Sequence, residues 1–282
     1  MPDEFLRSGA RLHWDERGDP RGPVVVWIHG GSVEDSSMMR RDLAPFEDRV
    51  RIVLPDARGH GRSDRFEDPA EYTWDRKCAD VVALLDHLGV ERAVWGGNSM
   101  GAALSLWAGA HHPQRVRAII DISGPPEATS ADDASWWSEN RSAVIAGDFA
   151  GIYEATVLRR SGAAALAALR ARPERRQEVI DSLSRHSVAS LLALFDETYN
   201  RPGWLASCAA ITAPTLVIGG SLDTFPDEGQ TRRVAAVIAG SELHVSEGAG
   251  HFPNRTHRPL TQSLIGEFLG RIGVLGELGG ED

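Results

Sequence analysis

Several things are scarce in this 282-residue chain, and each scarcity excludes something. It has two cysteines, Cys78 and Cys208. They cannot build a disulfide framework, and nothing points to an oxidising compartment, so both are expected to be reduced core residues. Apolar runs of membrane-spanning length are missing. The first ten residues are charged and poor in apolar side chains, unlike a secretory signal. The cytoplasm is therefore the expected location, with no membrane partner. Basic runs are missing too, and the formal net charge is −10. Both argue against a nucleic-acid partner. Lysine is very scarce beside abundant arginine and alanine, a hint of a GC-rich genome that says nothing about chemistry. No His/Cys/Asp/Glu cluster has the ligand spacing of a zinc site. There is no internal repeat and no long linker.

What remains is an ordinary globular composition, enough for one large α/β domain with or without an insertion. Val24-Val25-Val26-Trp27-Ile28 is a continuous β-branched and aromatic run. Such a run suits a strand buried on both faces of a parallel sheet. Arg51 to Pro55 is a second such strand, and Ala10 to Glu16 alternates weakly enough to be a third. Arg40 to Asp48 is compatible with a short helix. From Asp75 to Leu88 the apolar residues Val81, Leu84, Leu85 and Leu88 fall on one helical face. A strand at Arg92–Trp95, a helix at Ala102–Ala110 and a strand at Val116–Ile122 follow. After Pro126 the alternation stops: Glu127 to Trp204 carries helical patterns only. It resumes with a strand at Ala213–Gly220, a helix near Asp227–Ala239, a strand at Glu242–Val245 and a last helix near Pro259–Arg271. Strand–helix alternation predicts a parallel α/β sheet. The helical stretch, residues 127–204, is expected to be an inserted lid. The core then comprises residues 1–126 and 205–282.

The chemistry is concentrated at Gly97-Asn98-Ser99-Met100-Gly101, between a strand and a helix. This is the nucleophile-elbow pattern in the context it requires. A sharp turn there lifts Ser99 to the tip, and glycines two residues either side let strand and helix cross closely. A serine hydroxyl needs a base, and the base needs an orienting acid. On such sheets the chain order is serine, acid, histidine. Asp223 follows the strand ending at Gly220, and His251 follows the strand at Glu242–Val245. Both are placed at the sheet edge where open α/β folds bind ligands. Asp227 is the rival acid; His244 and His257 are poorer bases, one inside a strand and one at a helix start. The oxyanion donors are expected to be the backbone N–H groups of Met100 and Gly31. Gly30, Ser32, Phe252 and the lid pair Trp136-Trp137 are the expected substrate contacts. The two tryptophans could instead fill the lid's own interior. Asp56, Arg58 and His60 fit turn hydrogen bonds and a salt bridge better than catalysis.

His29-Gly30-Gly31-Ser32, Asp56 to Ser63, Gly97 to Gly101, Pro214 to Ile218 and Gly250 to Pro253 together resemble the blocks of the α/β-hydrolase fold family. The resemblance covers about residues 10–271. It implies an eight-stranded, mostly parallel sheet with helices on both faces, and a substrate pocket between core and lid. It implies a serine hydrolase acting on a small or medium ester, lactone or related acyl compound through an acyl-enzyme. No cofactor or metal is implied. The partner is a small-molecule substrate, and the protein is expected to be a monomer or homodimer. The elbow is also similar to that of hydrolases that cleave carbon–carbon bonds in vinylogous diketones. Those usually carry a longer glycine run after the His-Gly pair and a tryptophan soon after the histidine, where this chain has Ser32-Val33-Glu34 and Phe252-Pro253. Dehalogenases and epoxide hydrolases of this fold use an aspartate nucleophile, which Ser99 speaks against. A third alternative is a ligand receptor with a silent triad.

Overall fold

The computed structural model describes residues 4–5, 9–31, 34–128 and 130–276. The strands β1 (Glu4–Phe5) and β2 (Arg11–Leu12) form a small antiparallel ribbon. The strands β3 (Trp14–Gly18), β4 (Val24–Ile28), β5 (Arg51–Pro55), β6 (Ala93–Asn98), β7 (Val116–Ile122), β8 (Thr215–Gly220) and β9 (Glu242–Ser246) form one sheet. Its order is β3-β5-β4-β6-β7-β8-β9. Only β3 runs antiparallel to its neighbour. The described residues thus place seven strands in the sheet where the resemblance implied eight. The weakly alternating segment before Glu16 is divided between the ribbon and the antiparallel edge strand.

The β-branched runs explain the layering. Along β4, Val26 and Ile28 join a core on one face of the sheet, while Val25 and Trp27 join the core on the other. The first face is covered by α1 (Trp74–His87), α2 (Met100–His111) and α7 (Glu228–Val237); the second by α9 (Arg258–Arg271), which follows the short α8 (Pro253–Thr256). The stretch read as a short helix before Asp48 is two 3₁₀ turns, Ser36–Met38 and Ala44–Phe46. Cys78 and Cys208 are free and buried, and burial pushes both thiols up to about 12.

Between β7 and β8 stand α3 (Ala131–Ile145), α4 (Phe149–Arg170), α5 (Pro173–Leu183) and α6 (Val188–Tyr199). They bury a core of their own, including Trp137, Val144, Ile152, Val179, Leu191 and Phe195. Its two connections to the sheet are fastened together. The Trp204 N–H donates to the Pro126 carbonyl at 2.8 Å, and Arg201 donates to the Pro125 carbonyl at 2.8 Å. No helix among the described residues is long and apolar enough to cross a membrane.

Candidate active site

The sheet order reverses between β4 and β6, so the loops after these two strands meet at the carboxyl edge. That is where open α/β sheets receive ligands. The β6 loop is the elbow. Ser99 has φ 53° and ψ −115°, a conformation that costs a residue with a side chain roughly 1–3 kcal/mol. Its backbone is held by Ser99 N–H to Ile122 O at 2.8 Å and Ala103 N–H to Ser99 O at 2.9 Å. The flanking glycines are required by close approach: a Cβ at Gly97 or Gly101 would stand 2.0 or 2.2 Å from the Ile28 carbonyl oxygen.

Asp223 and His251 meet as the chain order anticipated. His251 Nδ1 lies 2.9 Å from Asp223 Oδ2, and both side chains are buried, at 4% and 1% exposure. The other Asp223 oxygen accepts the Phe225 N–H at 2.9 Å, which fixes the carboxylate in the loop after β8. The rival Asp227 is occupied elsewhere. It is the N-cap of α7, accepting the Gln230 N–H at 2.7 Å within a capping box. His257 sits against the Thr256 hydroxyl, and His244 lies within β9.

The loop after β4 carries Gly30 and Gly31. The Gly30 N–H is taken by Glu34 Oε2 at 2.9 Å, and the same oxygen accepts from Asn98, the residue before Ser99. The other Glu34 oxygen pairs with Arg255 on α8, at 2.5 Å. Burial pushes the Glu34 carboxyl upward, but Arg255, Asn98 and Gly30 outweigh it and hold it below the ordinary value. One buried carboxylate therefore ties together the glycine loop, the elbow strand and the segment after His251. Gly31 is packed against the Met100 side chain. Met100 opens α2, where the N–H groups of a first turn have no carbonyl one turn back and favour an anion.

Ser99, His251, Gly30, Gly31, Met100 and Phe252 all line one cavity of about 400 Å³ between the sheet edge and the inserted helices. Tyr153, Thr156, Val157 and Leu169 of α4 and Tyr199 of α6 form its roof. Trp136 and Trp137 correct the expectation, because neither lines it. Trp137 is buried inside the insertion, stacks on Phe195 with centroids 5.0 Å apart, and donates its Nε1–H to Asp196 at 2.7 Å. Trp136 packs on Tyr199. Helical spacing places a tryptophan on a face but cannot tell an insertion's own core from the ligand's side. The expected contact at Ser32 lies outside the described residues.

Asp56 and Arg58 make the turn hydrogen bonds and salt bridge expected of them, and the His60 ring lies against the Arg58 carbonyl. Asp56 accepts from the Ser36 and Arg62 N–H groups, and buried Arg58 grips Asp80 through two hydrogen bonds. Several unforeseen lining residues are charged: Lys77 from α1, Glu197 from α6, Arg201 just beyond it, Glu34, Arg172 and Arg255; Trp74 of α1 lines the cavity beside Lys77. A signal for Lys77 was available. It lies four residues before Val81, on the apolar face of its helix, and it is the only lysine in the chain. No cluster of metal-ligating side chains occurs among the described residues.

A strained serine at a strand–helix elbow, a buried histidine–carboxylate pair and a glycine loop thus surround one cavity. The family model for the alpha/beta hydrolase fold matches residues 23–257, and the chain belongs to that family. Among characterised relatives, 3-oxoadipate enol-lactonase 2 of Acinetobacter baylyi is 28% identical over 89% of this chain and 90% of its own. Epoxide hydrolase A of Mycobacterium tuberculosis is 38% identical, but that match spans only 42% of this chain and 37% of that protein. A crystal structure of a hydrolase from Pseudomonas aeruginosa superposes with a TM-score of 0.81 at 28% identity, covering 95% of this chain and 97% of the other.

Proposed function

We propose that this enzyme is a serine hydrolase that cleaves a small or medium ester or lactone through an acyl-enzyme. The observation that carries the reading is the buried His251–Asp223 hydrogen bond at 2.9 Å in the loops around the cavity that Ser99 also lines. Ser99 attacks the carbonyl carbon as His251 Nε2 takes its proton. Asp223 holds the Nδ1–H tautomer and stabilises the imidazolium. The carbonyl oxygen becomes an oxyanion, received by the Met100 and Gly31 N–H groups. Collapse of the tetrahedral intermediate expels the alcohol, which takes the proton from His251. Water, deprotonated by the same histidine, then releases the acid and restores Ser99. The inserted helices serve as a lid that shapes the acyl pocket without joining the proton transfers. The family relation supports hydrolysis, and the full-length likeness to an enol-lactonase supports an acyl substrate.

The test is labelling with a fluorophosphonate, followed by a series of chromogenic esters and lactones. Covalent labelling at Ser99, with turnover of at least one ester, is the expected result. Labelling without any ester turnover, alongside cleavage of a vinylogous diketone, would favour carbon–carbon bond hydrolysis. An unlabelled, folded protein would leave only the receptor reading.

A further inference from the structure

The chain's single lysine is not on the surface, where lysines are normally found. Lys77 is 4% exposed and lines the cavity of Ser99 and His251. Its ammonium makes no ion pair or side-chain hydrogen bond among the described residues. Its contact is the ring of Trp74, one turn earlier on α1, at 4.9 Å. The Arg201 guanidinium lies over the same ring at 5.2 Å. Two cations thus share one indole, and each makes the other costlier to keep charged. Glu197, on the facing helix, attracts Lys77 without reaching ion-pair distance. The rest of the lining carries the same imbalance. Lys77, Arg172, Arg201 and Arg255 face two carboxylates, Glu34 and Glu197, and Glu34 is already committed to Arg255. This excess of positive charge sits inside a protein of net charge −10.

A buried cation without a partner is expensive, and proteins retain one where something else supplies the counter-charge. From this geometry we infer that Lys77, with Arg201 beside it, forms an anion subsite that binds a carboxylate on the substrate, away from the bond that is cleaved. The substrate class is then the monoester or lactone of a short dicarboxylic acid. A carboxylate fits better than a phosphate. Glu197 offsets part of the Lys77 charge, which favours a monoanion over a dianion. The surplus of cation over carboxylate is also what distinguishes this cavity from an all-apolar acyl pocket, which would bind neutral esters as well as anionic ones. This inference rests on the serine-hydrolase reading for the word substrate, but not for the binding site itself.

Two readouts separate the two readings. Binding of succinate, glutarate and adipate is measured by calorimetry in the wild type, Lys77→Met and Lys77→Arg. The preference for monoethyl esters of these acids over neutral ethyl esters of equal chain length is measured as a ratio of kcat/KM. At least one diacid should bind the wild type. Lys77→Met should weaken it about 10–100-fold, and Lys77→Arg should recover part of the loss. The ester preference should fall by a similar factor, through KM rather than kcat. Because Lys77 is also the only side-chain amine, the same diacid should slow its modification by an anionic amine reagent, trinitrobenzenesulfonate. The inference is overturned if no diacid binds, if Lys77→Met binds it as tightly as the wild type, or if a phosphomonoester of like size binds better. Since calorimetry needs no turnover, diacid binding through Lys77 in a protein that never labels at Ser99 would refute the hydrolase reading alone. Ester turnover with no anionic preference would refute this one alone.

Discussion

Replacing Lys77 with methionine should make the protein more stable. Burial is the largest influence on this amine; Glu197 opposes it and Arg201 and Arg58 add repulsion, so its pKa falls from 10.5 to about 8. A drop of that size means that the folded state binds the proton more weakly than the unfolded chain, by ~3 kcal/mol. The sign follows from the direction. With the folded value below the unfolded one, the penalty is fully present below about pH 8. It fades as pH rises from about 8 through 10.5, and is gone only above that, where both states are neutral. Methionine has similar length, carries no charge and suits an apolar helix face next to Trp74. Glu197, whose carboxyl Lys77 draws downward, loses that help and returns part of the gain. The expected net stabilisation at pH 7 is therefore about 1–3 kcal/mol, or at least ~2 °C in melting temperature. Denaturant melts of both proteins at pH 7 and pH 10 measure it, and the difference between them should shrink at the higher pH. Reductive ¹³C-methylation gives one lysine signal, so the titration itself can be followed by NMR. A variant less stable than the wild type at pH 7, or a difference independent of pH, would refute the reasoning and make Lys77 a structural residue.

Ser99→Ala should reduce ester turnover and fluorophosphonate labelling to background while the melting temperature holds; persisting turnover in purified protein would remove Ser99 from the mechanism. Asp223→Asn should cost about 10⁴ in kcat by stabilising the wrong histidine tautomer, whereas Asp227→Asn, which keeps an N-cap side chain on α7, should stay near wild type; kinetics of both variants decide between the two acids. Trp137→Ala should destabilise the protein by about 3–5 kcal/mol, seen in denaturant melts, with Ser99 still labelled wherever the variant is folded. Val157→Ala, at the cavity roof, should instead shift the preferred acyl length by about 1–3 kcal/mol per methylene-sized change, read from kcat/KM along an ester series.

The parts of this molecule that were legible in its sequence are those whose chemistry is local. The elbow is written in five consecutive residues because a tight strand–helix crossing admits only glycine at Gly97 and Gly101. The β4 and β5 runs declare strands buried on both faces because no polar residue interrupts them. Asp223 and His251 could be placed because each follows directly on a strand end. Their hydrogen bond, 28 residues apart in sequence, was a deduction from order alone. What stayed hidden depends on which side of a helix meets which neighbour. The sequence left Trp136 and Trp137 open between the pocket and the lid's own interior, and only their packing on Tyr199 and Phe195 of α6 decides for the interior. Lys77 and Arg201 are far apart in sequence, and only the packing of α1 against the end of the insertion brings both to one indole ring. Glu34 has no motif at all; its role follows from three partners on three different elements.

The fastening of the insertion's two ends has a consequence for how this chain can diversify. The Trp204 N–H closes onto the Pro126 carbonyl, so everything between leaves and re-enters the sheet at a single point, as a loop of any length could. Closing a longer or shorter loop at such a point costs little, since the entropy grows only with the logarithm of its length. The four helices also bury most of one apolar cluster among themselves, with Tyr72 joining it from outside the insertion. A chimera that keeps residues 1–126 and 204–282 and carries a relative's helices between them should keep Ser99, Asp223 and His251, along with Lys77. It loses Glu197 and Arg201, and with them one wall of the anion subsite. Substrate choice in this lineage can therefore be rewritten by transplanting one segment, with the chemistry left where it was.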